Sequence, residues 1–247
     1  MDASRINPTG IFSAVAAAVI IFMAAVLLPK ILIEDKIFAL SATQVTELLL
    51  ALLAILFLGK GRFAEYGFRM PRPDRPMMAA IASWIPIALL SLGVGAAASL
   101  LMLSLGGSGN PLLKQLSFLQ IVLFVWINSS IIEEVFTRGF LQGHLIKSMD
   151  ISKKLPVIRV DYPTLISALF FSMMHLVLIL SGVDFYTVAV TLLFTFTLGL
   201  IAGTQFSRTG SLLPAIGVHI LANIGGVIGG IIYAVYTILT GGELPGM

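Results

Sequence analysis

Long apolar runs alternate with short polar breaks along the chain, and the runs are of membrane-crossing length. Gly10 to Leu28, Ser41 to Leu58, Met77 to Leu103, Leu116 to about Thr137, Pro163 to Ser181 and Phe185 to Phe206 supply six of them, since about 20 apolar residues cross a hydrocarbon core of roughly 30 Å. A seventh begins near Ser211 and stays apolar to Leu239, about 43 Å as one straight helix. One long tilted helix fits that length, and so does a helix broken at Gly225, Gly226, Gly229 and Gly230. The pattern therefore predicts an all-α, polytopic transmembrane helical bundle of seven or eight spans, one membrane domain over residues 1–247. The first run is expected to remain as an uncleaved span, because it is long enough to cross and many spans follow it.

The breaks add detail. Only three residues separate the fifth and sixth runs, which predicts a tight antiparallel hairpin. Gly59 to Pro76 carries five basic residues and three prolines and cannot be a span, and a Gly-rich loop from Leu105 to Pro111 closes the third. The basic stretch after the fourth run is expected to begin as an interfacial helix. Gly225, Gly226, Gly229 and Gly230 form two overlapping G-x-x-x-G patterns, which most simply mean close helix packing.

Composition agrees with this reading: 58% of the 247 residues are hydrophobic and 11% charged, where soluble domains carry roughly 25% charged. The chain has no cysteine, which removes thiol nucleophiles, disulfides and thiolate metal sites. The net charge of +3 reads as topology rather than as nucleic-acid binding, because the basic residues sit in loops. With seven spans, one side carries 1, 5, 5 and 1 basic residues and the other only Lys30, Lys36 and Lys114. The positive-inside rule then puts the N-terminus and the two basic loops in the cytoplasm. Compact loops fit a prokaryotic cell membrane.

Against this apolar background, Ile127 to Gln142 stands out: INSSIIEEVFTRGFLQ places Glu133 and Glu134 near the end of the fourth run and Arg138 after them. A charged side chain at the bilayer centre costs about 2.5 to 3.5 kcal/mol on insertion scales, so such acids need partners or a purpose. Glu134 and Arg138 are four residues apart with the acid first, the favoured order for an ion pair along a helix, and are read as a supporting brace. Glu133 points about 100° away, free to face a cavity. His175 lies in the fifth span, and His219 lies in the seventh with Asn223 one turn on. At 1.5 Å per residue, Glu133 sits roughly 6 Å, His219 about 12 Å and His175 about 18 Å from the cytoplasmic ends of their spans. Three helices thus bring rare polar groups to overlapping depth.

The chemistry these groups offer is hydrolysis by an activated water. Glu133 would take a proton from water that His175 helps to hold, while His219 and Asn223 donate hydrogen bonds to the oxyanion. His144 is expected to be an ordinary interfacial residue. Glu47, near the outer end of the second span, is expected to lie too far away to join the cluster, and Asp184 to sit in a turn.

Glu-Glu-x-x-x-Arg at 133 to 138, Phe-x-x-x-His at 171 to 175 and His-x-x-x-Asn at 219 to 223, in that order on three spans, resemble the CPBP family. That family includes the type II CAAX prenyl endopeptidases and bacteriocin-immunity membrane proteins. The resemblance covers about residues 116–239, expected to be the catalytic core, with a looser likeness at Glu65, Tyr66, Gly67 and Phe68. It implies a metal-free, cofactor-free intramembrane glutamate-type protease whose cavity opens to the cytoplasm. Glu133 would be the water-activating residue, His175 its partner, His219 and Asn223 the oxyanion site, and Glu134 with Arg138 their support. The substrate would be a membrane-anchored peptide or lipidated protein cut near its C-terminus, prenylated in eukaryotic relatives.

Other readings stay open at this point. Glu133 and two histidines could ligate zinc, although no His-Glu-x-x-His helix is present. Ser108 lacks a nucleophile-elbow context. A non-enzymatic immunity or scaffold protein would use the polar cluster as a hydrogen-bonded core. A proton-coupled transporter ranks last, because the two halves carry different motifs.

Overall fold

A computed structural model describes residues 6–71, 77–149 and 160–242. It is helical throughout with no strands among the described residues, and seven of its helices are long and apolar enough to cross a membrane. They are α1 (Pro8–Leu32), α2 (Lys36–Phe57), α3 (Met77–Ser104), α4 (Phe118–Ser148), α5 (Tyr162–Ser181), α6 (Phe185–Thr209) and α7 (Leu212–Leu239).

Helix ends near a bilayer cannot leave backbone amides unpaired, and the sequence supplies caps at nearly every start. Asn7, Asp35, Asp161 and Asp184 each accept a hydrogen bond from the amide three residues on, at 2.7 to 3.1 Å. Ser117 and Gln120 cap α4 reciprocally. Gly182 and Gly210 take left-handed turns (φ 73° and 61°), the conformation that costs glycine least, and so close the predicted α5–α6 hairpin and the α6–α7 corner.

α7 is one unbroken helix, so seven helices among the described residues are long and apolar enough to cross a membrane. Its glycines do not break it; they pack it. α3 and α7 form the most extensive helix pair. A Cβ added at Gly225 would lie 2.1 Å from Leu92 O, one at Gly229 2.4 Å from Ala96 O, and one at Gly95 1.9 Å from Ala222 O. The two backbones therefore touch where the side chains are missing, as small-residue motifs in membranes allow.

α4 runs through the interior and departs most from expectation. The predicted end near Thr137 is wrong: the helix continues to Ser148, and every residue from Val135 to Gln142 is buried. Its polar side chains lie inside the bundle, where Gln142 spends its amide nitrogen on three acceptors. Gln142 Nε2 faces Thr164 Oγ1 (2.8 Å), Gly203 O (2.9 Å) and Ser207 Oγ (3.0 Å). Ile121–Ser129 and Val135–Gln142 are wound as π-helix on either side of an α-helical turn, Ser130–Glu134. Such wide turns are rare and gather at functional sites.

The segment Phe63–Tyr66 lies against the far end of α4. Tyr66 is buried there, its hydroxyl 3.1 Å from His144 Nδ1. Lys147 reaches both Glu65 Oε2 (2.8 Å) and the Tyr66 ring face (3.7 Å). His144 is therefore part of a packed cap at this end of α4. Leu212 N donates to Gly67 O (3.0 Å) and Arg69 Nε to Gly210 O (2.7 Å), tying the same segment to the α6–α7 corner. Of the basic stretch after α4, residues 150–159 lie outside the described residues, as do residues 72–76 of the earlier loop.

Candidate active site

The α-helical turn Ser130–Glu134 sets two carboxylates at different angles on α4. Glu134 is fully buried and pairs with Arg138, Nε to Oε2 at 3.2 Å, also fully buried. The Arg138 guanidinium sits 4.6 Å from the centre of the Phe171 ring, a cation–π contact that is worth most where water is excluded. Its Nη1 donates to Thr137 Oγ1, and the Thr137 hydroxyl donates to Glu133 O. Glu133 keeps 21% of its side chain exposed and is not part of that ion pair.

α7 adds His219, 4% exposed. Its Nδ1 lies 2.9 Å from Glu134 Oε1 and its Nε2 3.8 Å from Glu133 Oε2. Glu134, ionised by its pairing with Arg138, can only accept, so Nδ1 carries the hydrogen and Nε2 turns toward Glu133. Glu134 therefore orients the imidazole as well as neutralising Arg138, a task not anticipated from the sequence. The signal was available only in three dimensions, since 85 residues separate the pair.

His175 closes the α-helical part of α5, beyond which the backbone tightens to 3₁₀ geometry. Its Nδ1 is 2.9 Å from Phe171 O. A carbonyl only accepts, so Nδ1–H donates and Nε2 is left with a lone pair. Phe171 lies edge-on to both imidazoles, with centroids 5.2 Å from His175 and 5.6 Å from His219, and one ring thereby gathers both histidines and Arg138. Asn223 leans back on α4, its Nδ2 3.1 Å from Ser130 Oγ and 3.4 Å from Val125 O. Ser130 is fully buried and was not singled out by sequence reasoning.

One expectation fails outright. Glu47 is not remote: it is buried on α2, which packs against the Ser130–Glu134 turn that carries Glu133. The error came from ending the fourth span too early, which placed Glu133 near the cytoplasmic end of its helix. With α4 extended to Ser148, Glu133 is mid-helix and level with the middle of α2. Ser108 and Asp184 lie elsewhere and bind each other, Ser108 Oγ donating to Asp184 Oδ2 at 2.8 Å.

Among the described residues no group of three or more His, Asp or Glu side chains converges as metal ligands. The arrangement is that of a helical membrane protein whose carboxylates, imidazoles and guanidinium from α4, α5 and α7 gather inside the bundle. Residues 115–225 match the family model described as Type II CAAX prenyl endopeptidase Rce1-like. This segment includes all six motif residues, and the match supports the likeness to the CPBP family, a family that implies intramembrane endopeptidase activity. No curated protein and no solved structure matches the chain.

Proposed function

We propose that this protein is an intramembrane endopeptidase that hydrolyses a peptide bond near the C-terminus of a membrane-anchored, prenyl-bearing substrate, using Glu133 to activate water. The observation that carries the reading is the asymmetry of the paired acids. Glu134 is sealed and ion-paired, while Glu133 retains exposure 3.8 Å from His219 Nε2.

In this scheme Glu133 takes a proton from water as its oxygen attacks the scissile carbonyl. His175, with Nδ1–H tied to Phe171 O, offers its Nε2 lone pair to the same water. Nδ1–H of His219 is held by Glu134, so Nε2 can donate to the oxyanion only when the ring is an imidazolium. Asn223 Nδ2 has two hydrogens, and the one on the longer 3.4 Å contact is the one free to turn to the oxyanion. The proton on Glu133 then passes to the leaving nitrogen, and no covalent intermediate is required. The motif residues fall within a catalytic core over residues 116–239, opening to a cytoplasm that also holds the N-terminus and the basic loops.

The test is cleavage of a farnesylated C-terminal peptide by purified protein, wild type against Glu133→Gln. The variant should lose about 10²- to 10⁴-fold in kcat, the usual worth of a general base, with unchanged expression and thermal stability. Cleavage that survives the change overturns the role of Glu133. A cellular phenotype that survives it favours the immunity or scaffold reading.

A further inference from the structure

Glu47 is the only acid of α2 and has no place in the scheme above. It is 6% exposed, and its Oε1 has no hydrogen-bond partner among the described residues. Nor does it join an ion pair: among the described residues Arg138 takes Glu134, His219 faces Glu133 and Glu134, and Arg62 and Lys147 take Glu65. One helical turn away, Gln44 donates Nε2 to Phe124 O (3.1 Å) on the wide-turned part of α4 and also leaves its Oε1 without a partner among the described residues. α2 packs against Ser130–Glu134, the turn that carries Glu133, and the carboxyl groups of Glu47 and Glu133 lie within electrostatic range of each other.

Two facts then constrain what Glu47 can be. An ionised Glu47 would add an uncompensated charge at mid-membrane, beside a carboxylate that the mechanism needs charged. Buried acids without a cation resolve such a conflict by keeping their proton, and neighbouring carboxyl groups commonly divide one proton between two sites. In its acid form Glu47 has an O–H to donate, and two acceptors are on offer: Gln44 Oε1 on its own helix, and Glu133 or the water it activates across the contact of α2 with Ser130–Glu134.

We propose that Glu47 is a positioning residue of the hydrolytic site, a neutral carboxylic acid whose O–H hydrogen bond orients the water or carboxylate at Glu133 and leaves Glu133 as the free carboxylate. Glu47 acts through Glu133 and does not touch the scissile bond. The proposal rests on the hydrolytic reading, but its central physical claim can be tested without any substrate.

Infrared spectra of the full chain in lipid nanodiscs at neutral pH, for wild type, Glu47→Gln and Glu133→Gln, read that claim directly. A protonated carboxyl gives a carbonyl band resolved from those of carboxylates and amides. The expected result is a wild-type band that vanishes in Glu47→Gln and changes frequency in Glu133→Gln. Absence of a Glu47 band, or a band indifferent to Glu133→Gln, overturns the proposal. In the cleavage assay, Glu47→Leu should lower kcat about 10- to 100-fold, the worth of one hydrogen bond to a charged group, at unchanged KM. Glu47→Gln, which still donates, should recover most of it, and equal behaviour of Leu and Gln overturns the proposal. Should wild type cleave no peptide while the infrared coupling is present, the hydrolytic reading falls and the proton-holding pair stands.

Discussion

His219 Nδ1 lies 2.9 Å from Glu134 Oε1, and the other oxygen of the same carboxylate faces Arg138 Nε at 3.2 Å. One fully buried side chain therefore orients the imidazole and neutralises the guanidinium at once. Removing it should cost both stability and activity, which separates it from Glu133. Glu134→Gln and Arg138→Met are each expected to destabilise by about 3 to 5 kcal/mol, the usual result of leaving one member of a buried pair uncompensated. The double variant should cost less than the sum of the two. Thermal unfolding in detergent checks this, and Glu133→Gln, which strands no buried partner, should unfold like wild type.

Chelation bears on the same centre. His175 and His219 each spend Nδ1 on a fixed partner, Phe171 O and Glu134, and the proposed chemistry asks nothing of a metal. Dialysis against a chelator followed by the cleavage assay should leave the rate unchanged. Stoichiometric zinc in the purified protein, with activity lost on its removal and restored on its return, would establish a metalloprotease instead.

Much of this was legible in the sequence because a bilayer imposes simple rules on it. Span order followed from apolar runs, which left the number at seven or eight, and the Glu134–Arg138 pair followed from spacing along one helix. The end of α4 did not, because hydropathy reads Arg138 and Gln142 as polar loop when both are buried and paired. That one error misplaced Glu133 in depth and demoted Glu47. The link between Glu134 and His219, and that between Ser130 and Asn223, span 85 and 93 residues. No periodicity within a helix can reveal which carboxylate meets which imidazole.

At the end of the bundle away from Tyr66, Asp184 joins the α3–α4 loop to the start of α6. The Thr187 hydroxyl, then the Thr187 and Ser108 amides, hydrogen-bond its carboxyl and hold it well below the usual carboxylate range. A folded-state value below the unfolded one gives stability that is complete above the ordinary aspartate value of about 4. That stability is lost only as pH falls through the depressed folded value. Hydrogen exchange at the Ser108 and Thr187 amides, corrected for intrinsic rates, should therefore stay constant from neutral pH down to about pH 4. Asp184→Ala should speed exchange at both amides about fivefold, the typical loss for an N-cap. Protection that already fades on mild acidification would contradict this anchoring.

The glycines of α7 give a prediction with its control built in. Gly225 and Gly229 face α3, where an added Cβ would come within 2.1 Å of Leu92 O and 2.4 Å of Ala96 O, backbone atoms that cannot move aside alone. Gly226 and Gly230, one residue further round the helix, have their nearest neighbours at 3.9 and 3.7 Å, ordinary contact distances. Gly225→Ala should force α3 and α7 apart and destabilise by about 1 to 3 kcal/mol or more, as overpacking does. Gly226→Ala should be neutral or stabilising by up to about 1 kcal/mol, since alanine is the better helix former. Asn223 is only two residues from Gly225, so the displacement should also disturb its bond to Ser130 and lower kcat, which Gly226→Ala should leave alone. Unfolding and cleavage measured side by side on the two variants decide it: equal effects would mean that α3 and α7 do not touch through Gly225, and that close packing does not hold Asn223 against α4.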